Sequence, residues 1–466
     1  LGRRLTDAGS ALRLSETPGR VRGPVPAPGQ DDAAILDRSR PDRPPLRTVT
    51  RRPIPARGPA RALDGLRVVD FTWAVAGPMI SRVLAAHGAE VLKIESGTRH
   101  DAMRLLAQDP ERAGGYINVN AGKRSVTIDL NQPAGIDLIK RLVAISDIVL
   151  ENFSPRVMPN LGLDYASLRK VNSDLIMLSL PGFGDTGPYR DYVSYGPNIM
   201  SIAGLSHLTG YPDGPPSGVT FGFGDYVGGA SGVAAVLAAV HYRDRTGRGQ
   251  YINLAQFEAA VNFLGPAVLE AAAAGRDPGR IGNRSPDAAP HGVYPCAGED
   301  RWCAIAVTDT DAWRALAQVI GRPDLAADDH LATLPGRQAR EDELDAAIAA
   351  WTASRSAEEV MAACQSAGVA AAAVADVADL LDRDPQLAAR GYYEAVDHPN
   401  LPGIRVDGPA FILSETPGGY RGVAGPLLGE ANDYVFRDLL GLPDAEIERL
   451  TKQAVINRHL APWIGV

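Results

Sequence analysis

From Leu66 onward the chain alternates short apolar runs with helix-length stretches, and this alternation limits the fold more than any other feature. Leu66-Arg-Val-Val-Asp-Phe71 reads as a strand, Gly77-Pro78 opens a helix with proline where its missing N–H costs nothing, and residues 90–95 (EVLKIE) form the next strand. The unit repeats as strand 125–130, helix 133–146, strand 148–152, helix 165–171 and strand 175–180. Parallel strands need such helical crossovers, so the expected fold is α/β. It has a Rossmann-like, mostly parallel sheet that binds ligands outside the carboxyl ends of its strands. No G-x-G-x-x-G follows the first strand and no G-x-x-x-x-G-K-[ST] occurs, so a dinucleotide is not indicated. Residues 292–307 read as a hairpin around Gly298-Glu-Asp300, with helices at 311–320, 341–353 and 357–367, which together make a smaller α+β unit. Strands and Pro/Gly turns resume at Pro399, and a helix lies near 444–452.

A length of 466 residues implies at least two compact units. The net charge of −8 gives no overall pull toward nucleic acid, and no run of about 20 residues is uninterruptedly apolar, so neither nucleic acid nor a membrane is an expected partner. Cys296, Cys303 and Cys364 form no CxxC pair and no metal-ligand cluster, so no disulfide framework and no metal site are expected, in keeping with a reducing cytoplasm.

The chain starts at Leu1 with neither an initiator methionine nor a secretory signal, which suggests further sequence upstream. An internal repeat supports this. Residues 9–36 (GSALRLSETPGRVRGPVPAPGQDDAAIL) echo residues 408–436 (GPAFILSETPGGYRGVAGPLLGEANDYVF), sharing S-E-T-P-G and continuing through Arg22/Arg421, Gly23/Gly422 and Gly29/Gly429 with one inserted residue. Residues 1–36 therefore read as the C-terminal remnant of an upstream copy. Residues 37–62, with six prolines and eight arginines, read as an extended linker.

The most informative local feature is Phe221-Gly-Phe-Gly-Asp225-Tyr-Val-Gly228-Gly229, followed by an Ala/Val/Leu run to His241. Glycines on both sides of one carboxylate let the backbone approach a ligand, and the run after it has helical length, so Asp225 is placed at a helix N-terminus. Aspartate there can be a simple N-cap. It also suits a nucleophile, because the helix dipole favours its ionised form and free N–H groups can hold an oxyanion.

Many ordered motifs give the chain a family resemblance: Leu63-Asp-Gly-Leu-Arg-Val-Val-Asp-Phe71, Ala76-Gly77-Pro78, Val91-Leu-Lys-Ile-Glu95, Gly122-Lys-Arg-Ser-Val-Thr-Ile-Asp-Leu130, Glu151-Asn-Phe153, Leu161-Gly-Leu163, Gly182-Phe-Gly-Asp-Thr-Gly-Pro-Tyr189, Thr246-Gly-Arg-Gly-Gln250 and Pro426-Leu-Leu-Gly-Glu430. Through nearly all of 63–466 it resembles the family III CoA-transferases, the CaiB/BaiF group. The resemblance implies an acyl-CoA:carboxylate CoA-transferase with Asp225 as nucleophile, working through a mixed anhydride and an aspartyl-CoA thioester. CoA thioesters would be substrates, with no permanently bound cofactor. It places CoA against Val75, Ala76, Arg104, Lys123, Arg124, Asn152 and Phe153, with Tyr195, Gly228 and Gly229 as neighbours of the nucleophile. It further implies interlocked chains: a homodimer, or pairing with an upstream copy, residues 1–36 packing there as residues 408–436 pack on this chain. The domains read as a large CoA-binding domain over 63–250, a linker and small α+β domain over 251–395, and a return segment over 396–466.

Some positions depart from the family pattern. Ser96 and Asn131 stand where basic residues are common, Val75 where some members have glutamine, and Gly196 where many have a carboxylate. Related racemases carry histidine in place of Tyr195, which argues against racemization here. Intramolecular CoA transfer and a non-catalytic acyl-CoA-binding subunit are the competing readings.

Overall fold

The computed structural model describes residues 9–21, 23–36, 60–218 and 222–457, so most of the linker expected at 37–62 lies outside the described residues. One compact unit comprises residues 1–205, 218–277 and 391–466, and a second comprises 206–217 and 278–390.

The first unit is built on a seven-stranded sheet in the order β1-β7-β6-β5-β2-β3-β4. Its strands are β1 (Leu12–Leu14), β2 (Arg67–Asp70), β3 (Glu90–Glu95), β4 (Arg124–Thr127), β5 (Ile148–Glu151), β6 (Ile176–Ser179) and β7 (Tyr251–Leu254). The six strands from β2 to β7 are mutually parallel. Successive residues point to opposite faces, and both faces are covered. Val68, Ile148, Leu150, Ile176 and Leu178 pack with Ile80, Leu84 and Val236 on one side. Val69, Val149 and Met177 pack with Ile139, Leu142 and Phe436 on the other. Two buried faces explain why these strands read as unbroken apolar runs. Val435, Phe436, Leu450, Val455 and Ile456 complete the second layer, so residues near the C-terminus close a core begun at β2.

The helix Phe223–Thr246 is long and apolar enough to span a bilayer, yet it lies against the sheet as a core helix. Gly224, Gly228, Gly229 and Gly232 on it are buried. At Gly229 a Cβ would stand 3.2 Å from the Ala76 carbonyl oxygen and 3.1 Å from Met79 Cβ, so glycine there lets this helix lie close to Ala76–Ala86.

In the second unit, β8 (His291–Pro295), β9 (Trp302–Ala306) and β10 (Ala370–Ala373) form an antiparallel sheet in the order β10-β9-β8, with the expected hairpin between β8 and β9. Helices Thr310–Val319, Glu341–Thr352 and Ala357–Ser366 bury Trp313, Leu316, Ile348, Val360 and Cys364 against it.

Within this chain, β1 adds antiparallel to the outer edge of β7, with Leu12 opposite Leu254 and Leu14 opposite Ile252. Ala11 and Leu14 are buried there, and Ser15 exchanges hydrogen bonds with Tyr251 through its backbone N–H and its Oγ. The physical reason is the unpaired edge of β7, whose N–H and C=O groups a strand can satisfy.

Candidate active site

The sheet order reverses at β2, which has β5 on one side and β3 on the other, so a crevice opens at the carboxyl ends of β2 and β5. The loop after β2 holds Val75 and Ala76, and the loop after β5 holds Asn152 and Phe153. They meet there. Asn152 Oδ1 accepts from the Trp73 N–H at 2.8 Å, its Nδ2 donates to the Trp73 carbonyl at 2.9 Å, and Phe153 stands edge-on to the Trp73 ring at 5.9 Å. Ala74 between them has φ of 60°, a strained value for a residue with a Cβ. Asp101 Oδ1 holds it by accepting from its N–H at 3.0 Å, and Lys93 fixes Asp101 in turn at 2.9 Å.

The same loop is anchored from below by Asp70 at the end of β2. Its fully buried carboxylate accepts from the Thr72 N–H at 2.9 Å, from Ser81 Oγ at 2.6 Å and from Lys123 Nζ at 3.2 Å. Burial pushes the Asp70 pKa up, but Lys123, Lys93 and the hydroxyl donors outweigh it and hold the carboxyl below its usual range. Burial pushes Lys123 down to about 8 despite Asp70.

These contacts change how the expected CoA cations read. Lys123 spends its donors on Asp70, the Pro78 carbonyl and Asn120. Arg104 is buried against Glu95, Glu111 and the Pro426 carbonyl, with its guanidinium 3.7 Å from the Tyr116 ring centre. Neither presents a donor to a phosphate; both are internal ties. Arg124 is partly exposed, beside Glu90 and over Tyr434. An exposed cation does stand at the crevice. Arg99, which sequence reading did not single out, lies 5.6 Å from the Trp73 ring centre.

Asp225 stands in the first turn of Phe223–Thr246, but the N-cap is Gly222, so the N-cap reading of Asp225 is corrected: its side chain is not committed to capping the helix. It is half-buried. Gln256, the second residue after β7, donates from Nε2 to Asp225 Oδ1 at 2.7 Å. Gln256 is itself placed by its own N–H to the Pro181 carbonyl after β6, so the loops after β6 and β7 converge on Asp225. Burial raises the Asp225 pKa and the Gln256 hydrogen bond partly offsets this. Sequence reading missed Gln256, since a lone amide 31 positions away leaves no local signal.

The other oxygen, Oδ2, faces glycine. A Cβ on Gly196 or on Gly222 would stand 2.2 Å from it, so neither position can carry a side chain while Asp225 holds this rotamer. This accounts for Gly196 where many family members have an acid. Tyr195 beside it is 65% exposed, with its N–H on Asn198. Gly228 packs on Gln256 and Gly229 on Ala76 and Met79, so the structure brings Asp225, Gly196, Gly228, Gly229 and Ala76 into one region and leaves Arg104 and Lys123 inside the fold.

Two outcomes follow from this geometry. Gly196→Ala should push the carboxylate into another rotamer and lower kcat about 100-fold, with a thermal midpoint within a few degrees of wild type; unchanged kcat would refute the steric argument. Gln256→Leu removes a bond that favours the ionised carboxylate, so the acidic limb of the kcat/KM profile should move to higher pH. A limb that stays put would mean that Gln256 does not govern that titration.

Glu151, at the end of β5, accepts from the Phe153 N–H at 2.8 Å and is raised to about 7 by burial. The folded state thus holds this proton more tightly than the unfolded one. The stabilisation it gives is complete below about pH 4.5 and lost as pH rises through 7. Glu151→Gln should flatten a decline of about 3 kcal/mol between these limits, checked by urea unfolding across pH. Parallel curves for variant and wild type would rule this out.

Among the described residues no group of three His, Cys, Asp or Glu side chains could hold a metal ion. The family model described as CoA-transferase family III matches residues 63–432. The succinyl-CoA–D-citramalate CoA-transferase of Chloroflexus aurantiacus is 35% identical over 400 residues, 85% of this chain and 99% of that protein. The alpha subunit of the succinyl-CoA–L-malate CoA-transferase of the same organism is 33% identical over 461 residues, 97% of this chain and 99% of its own length. The crystal structure of a CAIB/BAIF family protein from Brucella suis superimposes with a TM-score of 0.76 at 31% identity, covering 82% of this chain and all of that one. With the family model, these matches and an α/β sheet carrying the Gly-Asp site at its carboxyl edge, the chain belongs to CoA-transferase family III and is an acyl-CoA:carboxylate CoA-transferase.

Proposed function

We propose that CoA moves from an acyl-CoA donor to a free carboxylic acid through covalent intermediates on Asp225. The observation that supports this is the division of labour at its carboxylate: Oδ1 is held by Gln256 while Oδ2 lies against Gly196 and Gly222. Oδ2 attacks the donor acyl carbon and expels CoA thiolate, giving a mixed anhydride. The thiolate attacks Asp225 Cγ, forming aspartyl-CoA and releasing the donor acid. The acceptor carboxylate then attacks Cγ, expelling the thiolate and forming a second anhydride, and the thiolate takes the acyl group from it, restoring Asp225. The Trp73–Ala76 loop with Asn152 and Phe153 forms the CoA crevice, and Arg99 is its phosphate-facing cation. Donor and acceptor are proposed to be succinyl-CoA and a small dicarboxylic acid, by likeness to the relatives named above. A two-base proton transfer at an α-carbon gains no support, because Asp225 is hydrogen-bonded by an amide and flanked by glycine.

Hydroxylamine with succinyl-CoA should inactivate the enzyme and leave a hydroxamate on the peptide bearing Asp225, seen by mass spectrometry. Full transfer activity with an unmodified Asp225 would sink the covalent route.

A further inference from the structure

Residues 182–189 carry family resemblance in the sequence but have so far taken no part in the chemistry. They begin after β6, at the carboxyl edge of the sheet, and their first turn is tied to β7. Asn253 Nδ2 donates to Asp185 Oδ1, and the Tyr251 hydroxyl donates to Asp185 Oδ2 at 3.3 Å. Asn253 is buried, so the tie is made inside the fold. Gly184 is also buried, with φ of 80°, and a Cβ on it would stand 3.4 Å from Ala255 Cβ. The turn therefore sits on the residue that joins β7 to the helix Gln256–Phe263. Two of its carbonyls accept the first amides of that helix: Pro181 from the Gln256 N–H at 3.3 Å, and Gly182 from the Phe257 N–H at 2.9 Å.

The same turn reaches the other side of the carboxylate. A Cβ on Gly182 would overlap Ser194 Oγ, so residues 182 and 194 touch and close the loop between them, two positions before Gly196. Gln256 holds Oδ1 of Asp225 and Gly196 lies against Oδ2, so both neighbours of the carboxylate are registered on one turn. A misplacement of about 1 Å at a reacting group can cost on the order of a hundredfold in rate, which makes the anchoring of that turn a matter of catalysis as well as of folding. We propose that Asp185 is a positioning residue for the transfer reaction: by tying the turn 181–185 to β7 through Asn253 and Tyr251, it sets where Gln256 and Gly196 stand against the two oxygens of Asp225. The role rests on the covalent route through Asp225 given above. It needs the shape and hydrogen bonds of the 185 side chain; the substrate is never touched by it.

The test is steady-state kinetics on the full chain, with succinyl-CoA as donor and D-citramalate or L-malate as acceptor. Asp185→Ala should lower kcat about 30-fold with the KM for succinyl-CoA within about threefold of wild type, and should move the acidic limb of the kcat/KM profile to higher pH, as expected for Gln256→Leu. In the Gln256→Leu background the same substitution should cost about threefold or less, because the bond it misplaces is already gone. Asp185→Asn can still accept from Asn253 and can donate to the Tyr251 hydroxyl oxygen, so it should keep at least about a third of kcat. Asn253→Ala removes the other half of the tie and should reproduce the Asp185→Ala behaviour, so the outcome does not hang on one variant. Losses that multiply in the double variant, a loss confined to KM, an asparagine variant as poor as alanine, or a kcat for Asp185→Ala within about twofold of wild type each overturn the proposal. Asp225→Ala measured alongside keeps the two readings apart. If it is active the nucleophile itself is lost, whereas an inactive Asp225→Ala with independent losses at 185 and 256 removes only the role of Asp185.

Discussion

Asp225→Ala should lower kcat by at least a thousandfold while leaving the thermal midpoint close to wild type. The chemistry needs one oxygen that can bond to a thioester carbon, and the described residues placed against this carboxylate offer no substitute: Gln256 is an amide, and positions 196 and 222 are glycine. A thousandfold loss corresponds to about 4 kcal/mol of transition-state stabilisation. Stability should change little because the carboxylate is half-buried, does not cap its helix, and is pushed by burial toward a higher pKa. Asp225→Asn separates charge from shape. It keeps the volume and lacks the nucleophilic oxygen, so it should match alanine in kcat yet bind acyl-CoA about as well as wild type. Retention of a tenth of the activity in either variant would rule out covalent catalysis at this position.

The largest effect on stability is expected at Asp70. Asp70→Ala deletes the partner of a fully buried Lys123 and strands the Thr72 and Ser81 donors as well. Removing one member of a buried pair costs about 3–5 kcal/mol because the remaining charge is left uncompensated. In a unit of this size that lowers the thermal midpoint by about 5 °C. Lys123 is already lowered to about 8 by burial and would give up its proton near neutrality. The double variant Asp70→Ala with Lys123→Met removes the stranded charge and should recover part of the loss. A single-variant loss under about 1 kcal/mol would show that the cluster is not what ties the loop down. Activity should fall too, since the anchored loop lines the crevice.

The parallel sheet was legible because its signal is local. An apolar run of four to six residues with turn chemistry at both ends marks β2 to β6, and 90–95 is placed to the residue, whereas β7 was not read as a strand. Strand order and the location of the crevice follow from crossover rules rather than from side chains. The position of Asp225 in a first helical turn was legible from the glycines and the long Ala/Val run. Three things were not. The amide partner at 256 comes from a different loop. The burial of Arg104 and Lys123 depends on Glu95 and Asp70, which meet them only in three dimensions, and sequence alone reads a cation as exposed. The docking of residues 12–14 on β7 has no local signal either, because a repeat tells which segments are alike but not which edge each one meets.

The late arrival of Val435, Phe436, Leu450, Val455 and Ile456 in the layer that Val69 and Leu92 begin has a consequence for biosynthesis. A ribosome-bound chain that has emitted only the α/β portion presents Ile139 and Leu142 to water without their cover. Completion of that face waits until Ile456 has emerged, so the nascent protein passes through a long interval in which chaperone capture competes with folding. Nonsense mutations just before Val435 would accordingly be as damaging as ones in the first half of the sheet.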